Sequence, residues 1–173
     1  MRAHRYSKWL KYVPSMVVAV VAIISLVFSI SNAHRSAELS ILQVAADIRD
    51  GFALKCPDQA LANHYFTVSG KCKTRIPKGY SLWIIARDSL NQYYAMFPPI
   101  DLETGKHTWQ HDWITLATPG KWQMSVYLAD ANATIWLLGK GILEEYSGFR
   151  QLPSDMEAIK TCSSLEISES AEP

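Results

Sequence analysis

No acidic residue occurs before Glu38, whereas Arg2, Arg5, Lys8 and Lys11 all stand within the first 12 residues. No C-x-x-C or H-x-x-x-C spacing is present, so zinc is a poor explanation for the cysteines. A G-x-S-x-G nucleophile elbow is missing, as is any glycine-rich phosphate loop, which argues against a serine hydrolase of that type and against a nucleotide ligand. Charge of one sign is lacking too. The chain holds 17 Lys and Arg against 16 Asp and Glu; removing the four cations of the first 12 residues leaves 13 against 16, a net of −3, and no nucleic-acid surface is expected. No internal repeat and no constellation that would support an enzyme is found, so the expectation is a binding role without catalysis or cofactor.

What is present is a long apolar run. Eleven of the 19 residues from Val13 to Ser31 are Val, Ile, Leu or Phe, and none is charged. Each such residue contributes about −0.3 to −0.6 kcal/mol near a bilayer centre, which makes insertion favourable. At 1.5 Å rise per residue the run nearly matches a hydrocarbon layer of about 30 Å. Trp9 and Tyr12 stand where an interfacial aromatic belt would lie. The excess of basic residues upstream places the N-terminus in the cytoplasm and everything after the run outside, in a single-pass arrangement at the cell membrane. The bilayer is thus the first expected partner, through residues 13–31. Ser31-Asn32-Ala33 is a small-x-small triplet of the kind signal peptidases cut, so secretion after cleavage at Ala33 is the alternative.

The remainder is long enough for one core. The expected organisation is a basic cytoplasmic tail (1–12), a transmembrane signal-anchor or cleaved signal (13–33), a juxtamembrane helix (34–51), an extracytoplasmic β-sandwich (52–168) and a disordered tail (169–173). Leu39, Leu42 and Ala46, with Ile41, Ala45 and Ile48, recur at helical spacing, and Gly51 suits a left-handed helix end. From Asn63 the period changes to two. Strands are expected at Tyr65–Ser69, Tyr80–Arg87, Tyr93–Phe97 (ended by Pro98 and Pro99), His107–Thr115, Lys121–Ala129 and Ile159–Ile167. Trp122, Met124, Val126 and Leu128 share a core face, which turns Tyr127 outward. Asp130 or Asn132 caps a late helix carrying Ile135, Leu138, Ile142 and Tyr146 at intervals of three, four and four, stopped by Gly148. The fold class is mainly β: an antiparallel sandwich, each sheet polar on one face and packed on the other, with one late helix.

The stretch Ile76-Pro77-Lys78-Gly79-Tyr80-Ser81-Leu82-Trp83-Ile84-Ile85-Ala86-Arg87-Asp88, then Tyr93-Tyr94, Trp109, Gly120-Lys121-Trp122 and Leu152-Pro153 before a closing strand, resembles small immunoglobulin-like β-sandwich modules of bacterial exported and membrane-anchored proteins. The resemblance covers roughly Phe66 to Ile167 in pattern. It implies fold and location, and it supplies no site.

Candidate chemistry is sparse. Cys56, Cys72 and Cys162 all fall in the exported part, where disulfides persist. Cys56 with Cys72 would close a short loop worth roughly 3 kcal/mol, leaving Cys162 free; Cys162 with Cys72 is the rival. His107, His111 and Asp112 suggest a metal-dependent hydrolase, but on a strand positions four apart lie about 13 Å from each other, too far for one ion. Lys71, Lys73, Arg75 and Lys78 form a basic run that suits lipid phosphates or an acidic polymer, with a solvated turn as the plainer reading. Aromatics are abundant among the strands. Tyr93, Tyr94 and Trp109 are the candidate ligand-binding residues, for a carbohydrate by stacking or for a protein or envelope partner.

Overall fold

The computed structural model describes Ser25 and residues 40–102, 107–143, 148–162 and 164–169. The chain divides into residues 1–40 and 41–173, and the fold is that of the second unit. Apart from Ser25, the apolar run at Val13 to Ser31 lies outside the described residues, as do the basic tail and residues 170–173. Among the described residues no helix is long and apolar enough to cross a membrane.

Among the described residues a helix over residues 40–49 (α1) leads into nine strands and a second helix: β1 (Phe52–Lys55), β2 (Gln59–Leu61), β3 (Phe66–Cys72), β4 (Ser81–Arg87), β5 (Tyr93–Ile100), β6 (Thr108–Ile114), β7 (Gly120–Ala129), α2 (Ala131–Leu143), β8 (Met156–Thr161) and β9 (Leu165–Ser168). Three strands form one antiparallel sheet in the order β1-β3-β6. Six form the other, in the order β2-β9-β7-β4-β5 with β8 also on β7. The long strand β7 takes β9 along Gly120–Trp122 and β8 along Ser125–Ala129. β2 and β9 run parallel, so the sandwich is mixed rather than wholly antiparallel.

The two sheets face each other across one core. Phe52, Val68, Cys72, Trp109 and Ile114 come from the small sheet, and Leu82, Ile84, Ala86, Met124, Val126 and Leu128 from the large one. Trp122 joins Met124, Val126 and Leu128 there, as their alternation requires. Ile41, Ala45 and Ile48 of α1 belong to the same core, so this helix is part of the sandwich and not a free spacer. Its end departs from expectation in one respect. Gly51 is not left-handed; its amide donates to Ile48 O at 3.1 Å, and a Cβ there would stand 3.2 Å from Lys73 Cβ, so glycine serves close approach.

The large sheet is packed on both faces, against the expectation of a polar outer one. Trp83, Ile85 and Ala129 point away from the other sheet, into a second cluster with Ala133 and Leu137 of α2, Phe149 and Met156. Tyr127 therefore lies half-buried against this cluster instead of facing solvent. Asp130 caps α2: its Oδ1 accepts from Ala133 N at 2.8 Å, and its carbonyl from Thr134 N at 2.9 Å. The helix turns Ala133 and Leu137 inward, with Leu138 partly buried against the same cluster, and leaves Ile135 68% exposed, so of the expected stripe Leu138 packs and Ile135 does not. Residues 144–147, including Tyr146, and the side chain of Ile142 lie outside the described residues.

Three strand boundaries also differ. β5 continues through Pro98 and Pro99 to Ile100 because it is the last strand of its sheet; a register shift opposite Leu82–Ile84 absorbs the residues that cannot donate. The expected last strand is two, β8 and β9, interrupted around Cys162. β1 and β2 were not foreseen from the pattern, being only four and three residues long.

Candidate functional site

The aromatic residues singled out by the sequence do not converge. Tyr93 and Tyr94 are neighbours on β5, so they point to opposite faces of the large sheet. Tyr93 stacks on Phe149 with ring centroids 6.1 Å apart, in the cluster under α2. Tyr94 packs towards the central core and tilts against Trp122 at 5.3 Å. Trp109 belongs to the other sheet, is 5% exposed and stacks on Phe52 at 5.8 Å. Its indole Nε1 is buried without a hydrogen-bond partner among the described residues. A shared sugar-stacking platform of these three rings is not formed. Trp109 is instead drawn inward by Gly70, its register partner: a Cβ at Gly70 would lie 2.6 Å from Trp109 Cζ2 and 2.1 Å from Ala53 O.

His111 is buried, with Nε2 2.8 Å from Pro98 O and Nδ1 3.1 Å from Asp112 O. The ring ties β6 to the β5 register shift. His107 precedes β6, exposed, its Nδ1 3.3 Å from Cys72 O. Asp112 faces solvent, accepting from Thr67 Oγ1 at 2.7 Å and Gln110 Nε2 at 2.8 Å, and these hydrogen bonds hold its carboxyl below the usual carboxylate range. The three residues face in different directions, and among the described residues no group of three His, Cys, Asp or Glu side chains could share a metal ion. The side chain of Trp113 lies outside the described residues.

The disulfide joins Cys56 to Cys162, across 106 residues and with Cα atoms 6.3 Å apart. The pairing of Cys56 with Cys72 is thereby corrected, and its rival with it. Cys72 is inward on β3, buried and free, its thiol donating to Thr74 O at 3.1 Å. Burial pushes this thiol above its ordinary pKa. The spacing favoured a short loop, but the fold places Cys56, just after β1, beside the break between β8 and β9.

A cleft of about 500 Å3 opens next to that break. One wall is the turn from β4 to β5. Asp88 Oδ1 accepts from Leu90 N at 2.9 Å and Gln92 N at 2.8 Å, and Asn91 takes the left-handed conformation with φ 62°. The turn thereby fixes Arg87, whose Nε donates to Asn91 Oδ1 at 3.0 Å and whose guanidinium carbon lies 5.8 Å from the centre of the Tyr93 ring. The Tyr94 hydroxyl donates to Gln92 Oε1 at 2.9 Å, with Asp88 Oδ2 at 3.3 Å. Burial, and then the Asp88 charge and hydrogen bond, raise the Tyr94 pKa above its ordinary value. Lys121, Trp122 and Gln123 of β7, the strand paired beside β4, line the cleft as well, together with Cys162 and Ser164. Two cations, Arg87 and Lys121, thus line a cleft of mixed polar and apolar surface whose one carboxylate, Asp88, is already engaged in its own turn. Such a site suits a polar or anionic group of a partner, and no histidine among the described residues lines it to act as a base. The sequence offers a turn between the strands expected at Tyr80–Arg87 and Tyr93–Phe97 but no signal of the role of Asp88 and Asn91 within it.

No protein-family description matches this chain, and no curated protein matches it.

Proposed function

We propose that this chain is a single-pass membrane protein whose extracytoplasmic, immunoglobulin-like β-sandwich is an interaction module without catalysis, anchored by residues 13–31. The observation that carries the reading is the Cys56–Cys162 disulfide. Such bonds persist in oxidising compartments, and the basic lead and apolar run direct the same residues out of the cytoplasm by a wholly separate signal. The cleft at the β4–β5 turn and the start of β7 supports a binding role, because Arg87 and Asn91 are held in place by their hydrogen bond and Lys121 lines the same cleft.

The test uses the full chain in membranes of its host. Alkaline carbonate extraction should leave it in the membrane fraction with its N-terminus ahead of Val13, and alkylation before and after reduction should find one thiol and then three. A soluble product beginning at His34 overturns the anchor. Three free thiols without reduction overturn export. A photo-crosslinker placed at Gln123 should give a discrete adduct that the same probe at exposed Lys160 does not; equal labelling overturns the cleft as the docking site.

A further inference from the structure

The open face of the small sheet carries charge of one sign at one end. Phe52, Val68, Cys72, Trp109, His111 and Ile114 are the buried residues of its strands, so Ala53 and Lys55 of β1, Ser69 and Lys71 of β3, and Thr108 of β6 are turned away from the core. Lys73 continues this side, its amide donating to Gly51 O at 3.1 Å, and Arg75 and Lys78 follow in the loop before β4. All five cations are exposed. None enters an ion pair among the described residues, where the single one joins Arg49 to Glu157. Asp47 and Asp50 come to the same edge, Asp47 through its carbonyl, which accepts from Thr74 Oγ1 at 3.2 Å. Five cations against two carboxylates leave the edge positive, although the chain after Ala33 is negative. α2 covers the other sheet, and this face stays polar.

We propose that this basic face lies against an anionic phospholipid bilayer, the same membrane that residues 13–31 are proposed to cross; the inference rests on that reading. Lys and Arg near an anionic surface each strengthen attachment about fivefold at modest salt, and the attraction falls off within a Debye length of about 10 Å. Chain continuity selects a membrane over a dissolved polyanion. Eight residues, 32–39, lie between the apolar run and the first described residue of α1, and the ten described residues of α1 span about 15 Å. Its far end is hydrogen-bonded to the basic segment through Gly51 with Lys73 and Asp47 with Thr74. Covalent chain length alone therefore limits the reach from the apolar run to this segment to at most roughly 45 Å, which turns the encounter into an intramolecular one.

The experiment reconstitutes the full chain in vesicles of neutral phosphatidylcholine, or with one third phosphatidylglycerol, and reads lysine acylation by a membrane-impermeant reagent with mass spectrometry. Acylation of Lys71, Lys73 and Lys78 should fall at least fivefold in the anionic vesicles relative to Lys160, and the protection should vanish at 0.5 M salt. Lys71→Gln, Lys73→Gln and Arg75→Gln together should remove the protection left at Lys78. Equal rates in both vesicles, or equal slowing at Lys160, overturn the proposal. Protection that appears only when soluble polyphosphate is added overturns it in favour of a dissolved polyanion. Retention in neutral vesicles through a carbonate wash reports the anchor separately. A chain that leaves neutral vesicles but shows salt-sensitive protection on anionic ones keeps the lipid surface and loses the anchor.

Discussion

β3 and β4 are both seven-residue strands at the interior of their sheets, yet they solve burial differently. β4 has Leu82, Trp83, Ile84, Ile85 and Ala86 all buried, because the small sheet lies on one side of it and α2 on the other. β3 buries Val68 and Cys72 but leaves Thr67 and Lys71 in solvent. A continuous apolar run thus marks a strand covered twice, and an alternating one a strand covered once. The cleft and the basic face both follow from this division. The doubly covered sheet carries the hydrogen-bonded β4–β5 turn at its end, and the singly covered sheet keeps a charged surface free.

The contrast can be broken most severely at Trp83. It is fully buried, and its indole Nε1 donates to Ser81 Oγ at 3.0 Å. Trp83→Ala opens a cavity beneath α2 and should cost about 3–5 kcal/mol, read as a lower urea midpoint, whereas Lys71→Ala on the open face should move it by less than about 0.5 kcal/mol. Equal losses would mean that α2 does not close the second core. Next in size is Gly70→Ala, which forces a methyl group towards Ala53 O and the Trp109 ring. Overpacking of this kind costs about 1–3 kcal/mol, although the substitution lies in the sheet with the open face. A neutral result would show that both the Ala53 carbonyl and the Trp109 ring can withdraw.

Much of this division was written in the residues, and some was not. The run from Leu82 to Ala86 was legible as a strand, and its unbroken apolarity already signalled two buried faces; the expectation of one polar face came from applying the sandwich pattern uniformly. Trp122, Met124, Val126 and Leu128 were legible because period-two alternation fixes a face regardless of partners. The face of α2 was not, since Ala133 is chosen for the close packing of a helix on a sheet and carries little hydrophobic signal of its own. Trp109 looked like a candidate binding residue because an aromatic among polar neighbours reads as exposed. Only the pairing with Gly70 reveals where the ring goes. The disulfide was beyond local reasoning, as loop length says nothing about which loops a sandwich brings together.

A smaller effect tests the cover itself. Asp130→Ala removes the cap from the first turn of α2 and should cost about 1 kcal/mol, less than Trp83→Ala because the apolar contacts of Ala133 and Leu137 remain. Amide exchange along α2 should quicken more than along β3. Uniform quickening would indicate that helix and both sheets open as one unit.

The smallest effects separate the two sheets by pH. Tyr127, against the cluster under α2, has its pKa raised by burial first and then by Tyr93 and Glu157, with Arg87 opposing. Tyr94 is raised as well. A group whose pKa is higher when folded contributes stability that is present below its unfolded value and is lost as pH rises through the folded one, so the covered sheet should weaken as pH climbs past about 10. Asp112 on the open face behaves oppositely. Its pKa is lowered by Thr67 and Gln110, so its contribution is present above the unfolded value and lost as pH falls through the folded one, beginning below about pH 4. Its full exposure to solvent keeps that contribution small. Denaturation midpoints followed across pH should therefore flatten at the alkaline end in Tyr127→Phe and at the acid end in Asp112→Asn. An acid limb unchanged by Asp112→Asn would place the acid sensitivity elsewhere and leave the open face electrostatically silent in folding, free to answer only to what binds it.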